Sequence, residues 1–292
     1  MQVQGRDGTL KDFAIPPQVT PADVERLLAV LARSARRIER VELSSGAVWI
    51  KRYGRKRALV GMRAQNALAR LFRQPFLRAS PRLAPSAMVE REIRRIALFR
   101  ERGLPVPHVL YRSAGAVVLS DAGSTVSMRL AALRTSDPVA HEDLLVACAA
   151  DLGALHGKGL CHGRPHPRDF FLENGRIGFM DFEEEPEAVM PLAMAQARDL
   201  WLLFLQLTQR ALEGDATLDR AFAAWETAAP AAARRELGAL VGFLGKFLSL
   251  TRLIGRMHMG SDLRRFLAAT RYLSRVCEIP RPAGASKAGK DD

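Results

Sequence analysis

The chain has 292 residues, 48% of them hydrophobic and 26% charged, which are ordinary shares for a folded globular protein. This length allows one large domain, or two lobes, with a sizeable core. The formal net charge of +13 is unusual, and residues 51–102 concentrate it, with 15 Lys or Arg against three acids. Such a segment favours an anionic partner, either a nucleotide, a nucleic acid or an acidic membrane surface. The alternative is that these basic residues form a solvated face, in a chain that uses Arg in place of Lys.

The cysteines and the apolar runs indicate where in the cell the protein is expected. Cys148, Cys161 and Cys277 are odd in number and lack the spacing of a metal site, which fits a reducing cytoplasm. The polar N-terminal stretch has no signal-peptide core, and no apolar run is long enough to span a membrane. The pattern predicts a cytoplasmic protein, and a basic surface also suits the periphery of the inner membrane. Nucleic-acid binding is not predicted, because the basic residues lack interleaved aromatic side chains.

The first part of the chain predicts a small sheet with two helices. After a loosely ordered stretch, 1–20, Thr20 caps a helix that begins with Pro21 and runs to residue 36. A second helix is predicted over 88–102, ending at Gly103. Four strands are predicted in two hairpins: 38–43 with 47–53, and 109–111 with 116–119.

A basic insert, 55–86, separates the first hairpin from the second helix and contains eight Lys or Arg and no acid. Helical spacing over 58–73 puts an apolar stripe on one side and Arg63, Arg70 and Arg73 on the other. Packing of the stripe on the domain is the favoured interpretation. The arginine face would still be able to meet lipid headgroups or phosphates.

Two charged residues of this part are candidates for a buried pair. Lys51 lies in the second strand, where a lone lysine usually faces solvent. Glu92 falls on the same helix face as Val89, Ile96 and Phe99. A carboxylate on the inward face of a helix needs a charge partner, and Lys51 on the neighbouring strand is a natural one.

The rest of the chain is predicted to be mostly helical after a linker at 120–124. The predicted helices are 143–157, 193–212, 217–228, 231–256 and 261–277, followed by a disordered tail, 280–292. Residues 170–172, a Glu-Asn-Gly turn and 176–180 predict a hairpin with polar residues before and after it. The hairpin would bring the polar residues before and after it side by side. Such an arrangement can position a phosphate-bound metal beside a phosphoryl acceptor.

The order of these motifs, from about residue 38 to 207, resembles the protein-kinase-like superfamily. It is most similar to the bacterial lipopolysaccharide kinases of the Kdo-kinase type, with the small atypical kinases of the Bud and RIO kinds as more distant relatives. The motifs are Trp49-Ile50-Lys51, Glu92, Gly103-Leu104-Pro105-Val106-Pro107, Val118-Leu119-Ser120-Asp121, His162-Gly163, Asp181-Phe182-Glu183 and Arg198-Asp199.

The resemblance implies an α+β, protein-kinase-like bilobal fold. The small β-rich N-lobe would span 1–119 with the N-terminal helix and the basic insert. The hinge would be 120–124, and the α-rich C-lobe with the catalytic hairpin would be 125–279. The cofactors it implies are ATP and Mg²⁺.

The resemblance also implies roles for individual residues. Lys51, held by Glu92, would bind the β- and γ-phosphates, and Asp181 with Asp169 would hold Mg²⁺. The backbone of Leu119, Ser120 and Asp121 would bind adenine. The catalytic loop would contribute His162, Arg164, His166 and Asp169.

The catalytic loop departs from the family pattern His-Gly-Asp, four residues, Asn. Arg164 stands where an acceptor-orienting Asp is expected, and Asp169 stands for the metal-binding Asn. A second register, Asp169 to Asn174, is rejected because it puts Asn174 at the far end of the strand from Asp181. A guanidinium cannot accept a proton, so Arg164 would clamp an anionic acceptor or stabilise transferred charge, and His166 would accept the proton.

No Gly-x-Gly loop precedes the second strand. The leading hypothesis is an ATP-dependent phosphotransferase that acts on a lipopolysaccharide core sugar or a similar anionic membrane glycan. The alternatives are a pseudokinase that binds a nucleotide or a partner, and an atypical serine/threonine kinase. The sequence does not predict the oligomeric state.

Overall fold

The computed structural model describes residues 20–54, 66–67, 69–81, 83–248 and 260–278. Within them the protein is of mixed α+β class, with a small antiparallel sheet and many helices. Several predictions lie outside the described residues: those for the stretch 1–19, for Arg63 and most of the helix over 58–73, for the end of the helix over 231–256, and for the tail.

The sheet has four antiparallel strands in the order β1-β2-β4-β3. The strands are β1 (Ile38–Leu43), β2 (Gly46–Arg52), β3 (Val109–Arg112) and β4 (Ala116–Ser120). Alternating apolar residues of β1 and β2, among them Val41, Val48 and Ile50, form one buried face with Val118. Lys51 lies on the opposite face of β2, opposite Val117 in the register. Both predicted hairpins are confirmed.

The helix α1 (Pro21–Arg33) packs on the apolar face of the sheet. Thr20 and Asp23 form a capping box, in which each side chain accepts a hydrogen bond from the backbone of the other. The predicted start of the helix is confirmed. Its end at Arg33 comes three residues before the predicted one, because Ser34 takes an extended conformation.

The helix α2 (Pro85–Glu101) runs beside the sheet and begins three residues earlier than predicted, because Pro85 occupies its first turn. It ends just before Gly103, which has a φ of +70°. Val89, Ile96 and Phe99 are buried on its inner face.

Six helices of the described part follow the sheet. They are α3 (Val126–Ser136), α4 (Pro138–Gly157), α5 (Leu192–Leu207), α6 (Asp215–Ala228), α7 (Ala231–Gly245) and α8 (Ser261–Glu278). α3 was not predicted from the sequence. α4 begins five residues before its predicted start, because Asp137 accepts a hydrogen bond from Ala140 N and Pro138 opens the helix. α5 ends at Leu207, five residues before the predicted end.

α4 and α6 pack closely because a glycine lies at their contact. A Cβ on Gly153 would lie 2.5 Å from the carbonyl oxygen of Trp225, which is closer than real contacts allow. Trp225 is completely buried, and its Nε1 donates to Nδ1 of His156 at 3.0 Å. The helical core therefore depends on a small residue at position 153.

A hairpin of β5 (Phe170–Glu173) and β6 (Arg176–Phe179) is inserted between α4 and α5 in the chain, as predicted. Asn174 and Gly175 both have positive φ, which the two-residue turn requires. Phe170 and Phe179 are fully buried, and Phe179 N donates to Pro105 O at 2.9 Å. The hydrogen bond fixes the end of β6 against the segment that follows α2.

In the part of the chain that the structure describes, the helices are either too short or too polar to cross a bilayer.

Candidate functional site

Lys51 and Glu92 form a buried ion pair. The Lys51 side chain leaves β2 with 6% of the residue exposed, and Glu92, in the middle of α2, is fully buried. Lys51 Nζ donates to the two carboxylate oxygens of Glu92 at 3.0 and 2.9 Å. The Tyr53 hydroxyl donates to the same carboxylate at 2.8 Å. The pairing expected from the helix spacing is confirmed, and the lysine is turned inward.

Asp181 approaches the same ammonium group from the other part of the chain. Its Oδ1 lies 2.6 Å from Lys51 Nζ, and Glu183 Oε1 lies 3.4 Å away. Burial would lower the pKa of Lys51, but Glu92 and Asp181 more than offset it and keep that pKa well above its usual range. Burial would likewise raise the pKa of Asp181, yet Lys51 lowers it overall. Both groups are therefore charged at neutral pH.

The backbone of Asp181 is itself unusual. It follows β6 with a φ of +68°, a left-handed conformation that few residues other than glycine adopt. Such strain is found at functional sites, where surrounding contacts hold it in place. Here the carboxylate is held by Lys51, and the next residue, Phe182, is fully buried.

Asp169 immediately precedes β5, at the same open end of the hairpin at which Asp181 follows β6. Its carbonyl oxygen accepts a hydrogen bond from Met180 N at 2.9 Å, so the two aspartates flank one pair of strand ends. Burial, with the nearby charge of Asp181, raises the pKa of Asp169 to about 7. Arg168 Nε lies 3.5 Å from its Oδ1.

Asp169 and Asp181 are the residues able to hold a divalent cation. Both carboxylates line the same cleft and together form a hard-oxygen donor set. Across the described ranges, no group of three or more His, Cys, Asp or Glu side chains forms a cage made by the protein only. The donor set suits Mg²⁺, which commonly takes one or two carboxylates together with phosphate oxygens and water.

These residues border a cleft with a volume of about 240 Å³. Lys51, Glu92, Arg168, Asp169 and Asp181 contribute charged side chains to its lining. Its other walls are largely apolar and come from the sheet, the linker and the hairpin: Ile38, Trp49, Pro107, Leu119, Ser120, Asp121, Ala122, Gly123, Thr125 and Met180. The cleft therefore combines charged and apolar lining residues.

The linker residues expected at the adenine position line this cleft. Leu119 lies in β4 between Trp49 on β2 and Val109 on β3. Ser120, predicted as linker, is the last residue of β4, and its hydroxyl accepts a hydrogen bond from His108 N. Asp121 accepts a hydrogen bond from Trp49 Nε1 at 3.0 Å.

Asp199 holds the loop that carries the other predicted catalytic residues. It is fully buried on α5 and accepts hydrogen bonds from His162 N at 2.5 Å and from Gly163 N at 2.9 Å. Arg198 Nη2 donates to Gly163 O at 3.1 Å. The pair predicted to buttress this loop, Arg198-Asp199, is placed to do so.

His162 lies behind the cleft and does not line it. It is 1% exposed, packs on Phe170 and Phe182, and has Nε2 3.2 Å from Met180 O. Burial lowers its pKa to about 4, so the ring is neutral at pH 7 and Nε2 donates to the carbonyl. Its contacts make His162 a positioning residue for the segment before Asp181.

Arg164 and His166 flank the cleft without lining it. The Arg164 side chain is 51% exposed and reaches within 3.8 Å of Asp181 and 3.9 Å of Glu184. His166 Nδ1 accepts a hydrogen bond from Arg168 N at 3.0 Å, and burial beside arginines lowers its pKa to about 4. The ring nitrogen that would accept a proton is thus engaged, and the proton-accepting role of His166 stays a prediction.

An arginine clamp, Arg91 and Arg95 of α2, was missed by the sequence reasoning. Arg91 Nη1 donates to Glu183 O at 3.1 Å, and its Nε lies 3.3 Å from Glu185. Arg95 pairs with Glu187 and donates to Cys161 O at 2.5 Å. The clamp joins the helix that carries Glu92 to the segments on either side of the hairpin.

A signal for this clamp is present in the sequence. Glu183, Glu185 and Glu187 alternate along the segment after Asp181, and arginines stand on either side of Glu92 on the same helix. Because charged residues so close together usually lie on a solvated surface, the alternation alone did not distinguish a clamp from an exposed segment.

Comparison with known proteins adds one partial similarity. No family model matches the chain. An uncharacterized protein of Haemophilus influenzae is 35% identical over 99 residues, which cover 34% of this chain and 40% of that protein. The chain thus matches well under half the length of this relative, and the similarity carries no statement about activity.

Proposed function

We propose that the protein is a phosphotransferase of protein-kinase-like bilobal fold that uses ATP and Mg²⁺. The sheet with α1 and α2 would be the small lobe, and the helices with the β5–β6 hairpin would be the large lobe. The observation that carries the proposal is the position of Lys51 Nζ, 2.9 Å from Glu92 and 2.6 Å from Asp181, beside a cleft that Asp169 also lines.

The chemistry of the cleft supports these roles. Phosphoryl transfer depends mainly on positioning and on neutralising the charge of the phosphates. Lys51 supplies a fixed cation, and Glu92 keeps it in place from a buried position. Asp169 and Asp181 would hold Mg²⁺, which when bound neutralises phosphate charge and orients the phosphate that is transferred.

The acceptor that we propose is a lipopolysaccharide core sugar or a similar anionic membrane glycan. The side chains of Arg164 and Arg168 are 51% and 57% exposed beside the two aspartates, where they would attract a carboxylate or phosphate on the acceptor. The net charge of +13 further favours an acidic surface.

A second candidate, a nucleotide-binding protein without turnover, is favoured by Arg164. At the position where a base is expected, this guanidinium lies 3.8 Å from Asp181 and cannot accept a proton from an acceptor hydroxyl. Loss of a general base slows phosphoryl transfer, whereas positioning and charge neutralisation remain. The two candidates therefore share nucleotide binding and differ in transfer.

The test is transfer of radiolabelled phosphate from Mg-ATP to a bacterial membrane lipid and glycolipid extract. We expect label in the extract with the wild type and with Asp143→Asn, a change at an exposed aspartate on α4. Asp181→Asn should reduce the transfer by about a hundredfold or more, because it removes a carboxylate from the proposed metal site.

The outcomes separate the candidates. Transfer that is equal in the wild type and Asp181→Asn contradicts the phosphotransferase proposal. Mg-ATP binding without transfer, combined with activity that appears in Arg164→Asp, supports the second candidate. Absence of Mg-ATP binding contradicts both.

A further inference from the structure

Trp49 lines the same cleft as Lys51. It lies two residues before Lys51 on β2, so both side chains project from the same face of the strand. It is 36% exposed, and its neighbours Val48 and Ile50 are buried. A large aromatic ring exposed inside a cleft is available to a ligand.

The orientation of the indole is held by Asp121. Trp49 Nε1 donates to Asp121 Oδ1 at 3.0 Å, and Gly123 N donates to the same oxygen at 3.0 Å. Arg40 Nη2 lies 3.6 Å from the other oxygen of this carboxylate. Because the only polar group of the ring is engaged, what Trp49 offers to a ligand is aromatic surface.

Two backbone N–H groups at the start of the linker are also engaged. Ser120 N donates to His108 O at 2.9 Å, and Asp121 N donates to Ala47 O at 3.3 Å. The Ser120 hydroxyl accepts from His108 N at 2.9 Å. The two N–H groups lie where the edge of a base would be read, and both already donate to backbone carbonyls.

From these contacts we infer that the cleft binds the base of a purine nucleoside triphosphate by stacking on Trp49, with little discrimination between adenine and guanine. This inference rests on the proposed function and names its nucleotide. Stacking tolerates different bases, because each presents a π-face. Selection between bases needs hydrogen bonds to their edges, and the donors of Ser120 and Asp121 are committed elsewhere.

The test is calorimetric titration of the whole chain with Mg-ATP, Mg-GTP and Mg-tripolyphosphate. We expect dissociation constants for ATP and GTP within about fivefold of each other. Trp49→Leu should weaken both by about tenfold or more, since stacking on an aromatic side chain contributes this much. Tripolyphosphate should bind both forms equally, because it has no base.

Tryptophan fluorescence gives a second readout that does not depend on Trp49→Leu folding. The chain contains three tryptophans. Trp201 does not line the cleft, and its Nε1 donates a hydrogen bond to the Thr270 hydroxyl. We expect Mg-ATP to quench the emission of the wild type and of Trp201→Phe but not of Trp49→Phe. Quenching that persists in Trp49→Phe contradicts the inference.

The failure of this inference is distinguishable from failure of the proposed function. A preference of a hundredfold or more for one purine, or unchanged nucleotide affinity in Trp49→Leu, overturns base stacking and leaves the phosphotransferase proposal standing. Absence of Mg-ATP binding to the wild type overturns both.

Discussion

Lys51 Nζ lies 2.6 Å from Oδ1 of Asp181, although the two residues are 130 positions apart in the sequence. The lysine belongs to the sheet, and the aspartate follows the second strand of the hairpin in the helical part of the chain. Glu92 on α2 accepts from the same ammonium group at 2.9 Å. The ammonium group thus joins three segments that are distant in the chain.

The buried glutamate should matter to stability far more than its exposed neighbour on the same helix. Glu92→Gln weakens the pairing of a buried lysine, and breaking such a pair costs about 3 kcal/mol. Glu90→Gln changes a residue whose side chain is 63% exposed and pairs with Arg112, so its effect should stay below about 1 kcal/mol. Urea denaturation measures both changes. Equal midpoints for the two variants would contradict a structural role for the buried pair.

The arginine clamp gives a similar contrast between neighbouring residues. Arg95→Met removes the buried cation that pairs with Glu187 and donates to the carbonyl of Cys161, and we expect a loss of about 3 kcal/mol. Arg94→Met removes an exposed pair with Glu185 and should cost less than about 1 kcal/mol. The free energy of unfolding, measured by urea titration, tests the difference. A loss in Arg95→Met no larger than in Arg94→Met would show that the clamp does not hold α2.

Two helical glycines should respond in opposite directions to alanine. Gly153→Ala puts a Cβ 2.5 Å from the Trp225 carbonyl oxygen, a backbone atom that cannot easily move, so we expect a loss of about 2 kcal/mol. Gly238 on α7 has open space at this position, and alanine there should be neutral or stabilising by up to about 1 kcal/mol. Thermal melting measures both variants. A Gly153→Ala protein as stable as the wild type would contradict the close approach of α4 and α6.

His162 should make the protein less stable as the pH falls from about 6.5 to about 4. Its folded pKa is about 4, below the unfolded value, because burial opposes protonation. The unfolded chain therefore binds a proton in this range that the folded chain excludes, and up to about 3 kcal/mol is lost by pH 4.

The pH effect is isolated by comparing variants. His162→Gln keeps a donor for Met180 O but does not titrate, so its stability should fall less over this range than that of the wild type. His108→Gln changes an exposed histidine and should follow the wild type. Melting temperatures at pH 7, 6, 5 and 4 give the slopes. Parallel slopes for the wild type and His162→Gln would contradict the lowered pKa.

The local patterns predicted the elements better than their ends. Turn residues and alternation located both sheet hairpins and β5–β6, and the capping residues located the start of α1. α3 was missed because its apolar residues do not gather on one face, so only its packing reveals it. The end of α5 was misplaced because no glycine or proline follows Leu207 until Gly214, whereas the helix already ends at the cap residue Thr208.

For the candidate site, spacing predicted the pairing of Lys51 with Glu92, since an inward carboxylate requires a partner. It did not predict the left-handed backbone of Asp181, because non-glycine residues rarely adopt it and tertiary contacts hold it there. The contact between Trp49 and Asp121 was also missed. It depends on the register of β2 and β4, which no local pattern specifies.

The most direct test of the central claim is calorimetric titration of Mg-ATP into the wild type, Lys51→Met and the control Lys158→Met. Lys158 is an exposed lysine at the end of α4, so its loss should leave the affinity unchanged. We predict that Lys51→Met weakens binding by about tenfold or more, because a charge-assisted contact to the phosphates is removed. Equal affinity of Lys51→Met and the wild type, or no binding by the wild type, would contradict the account.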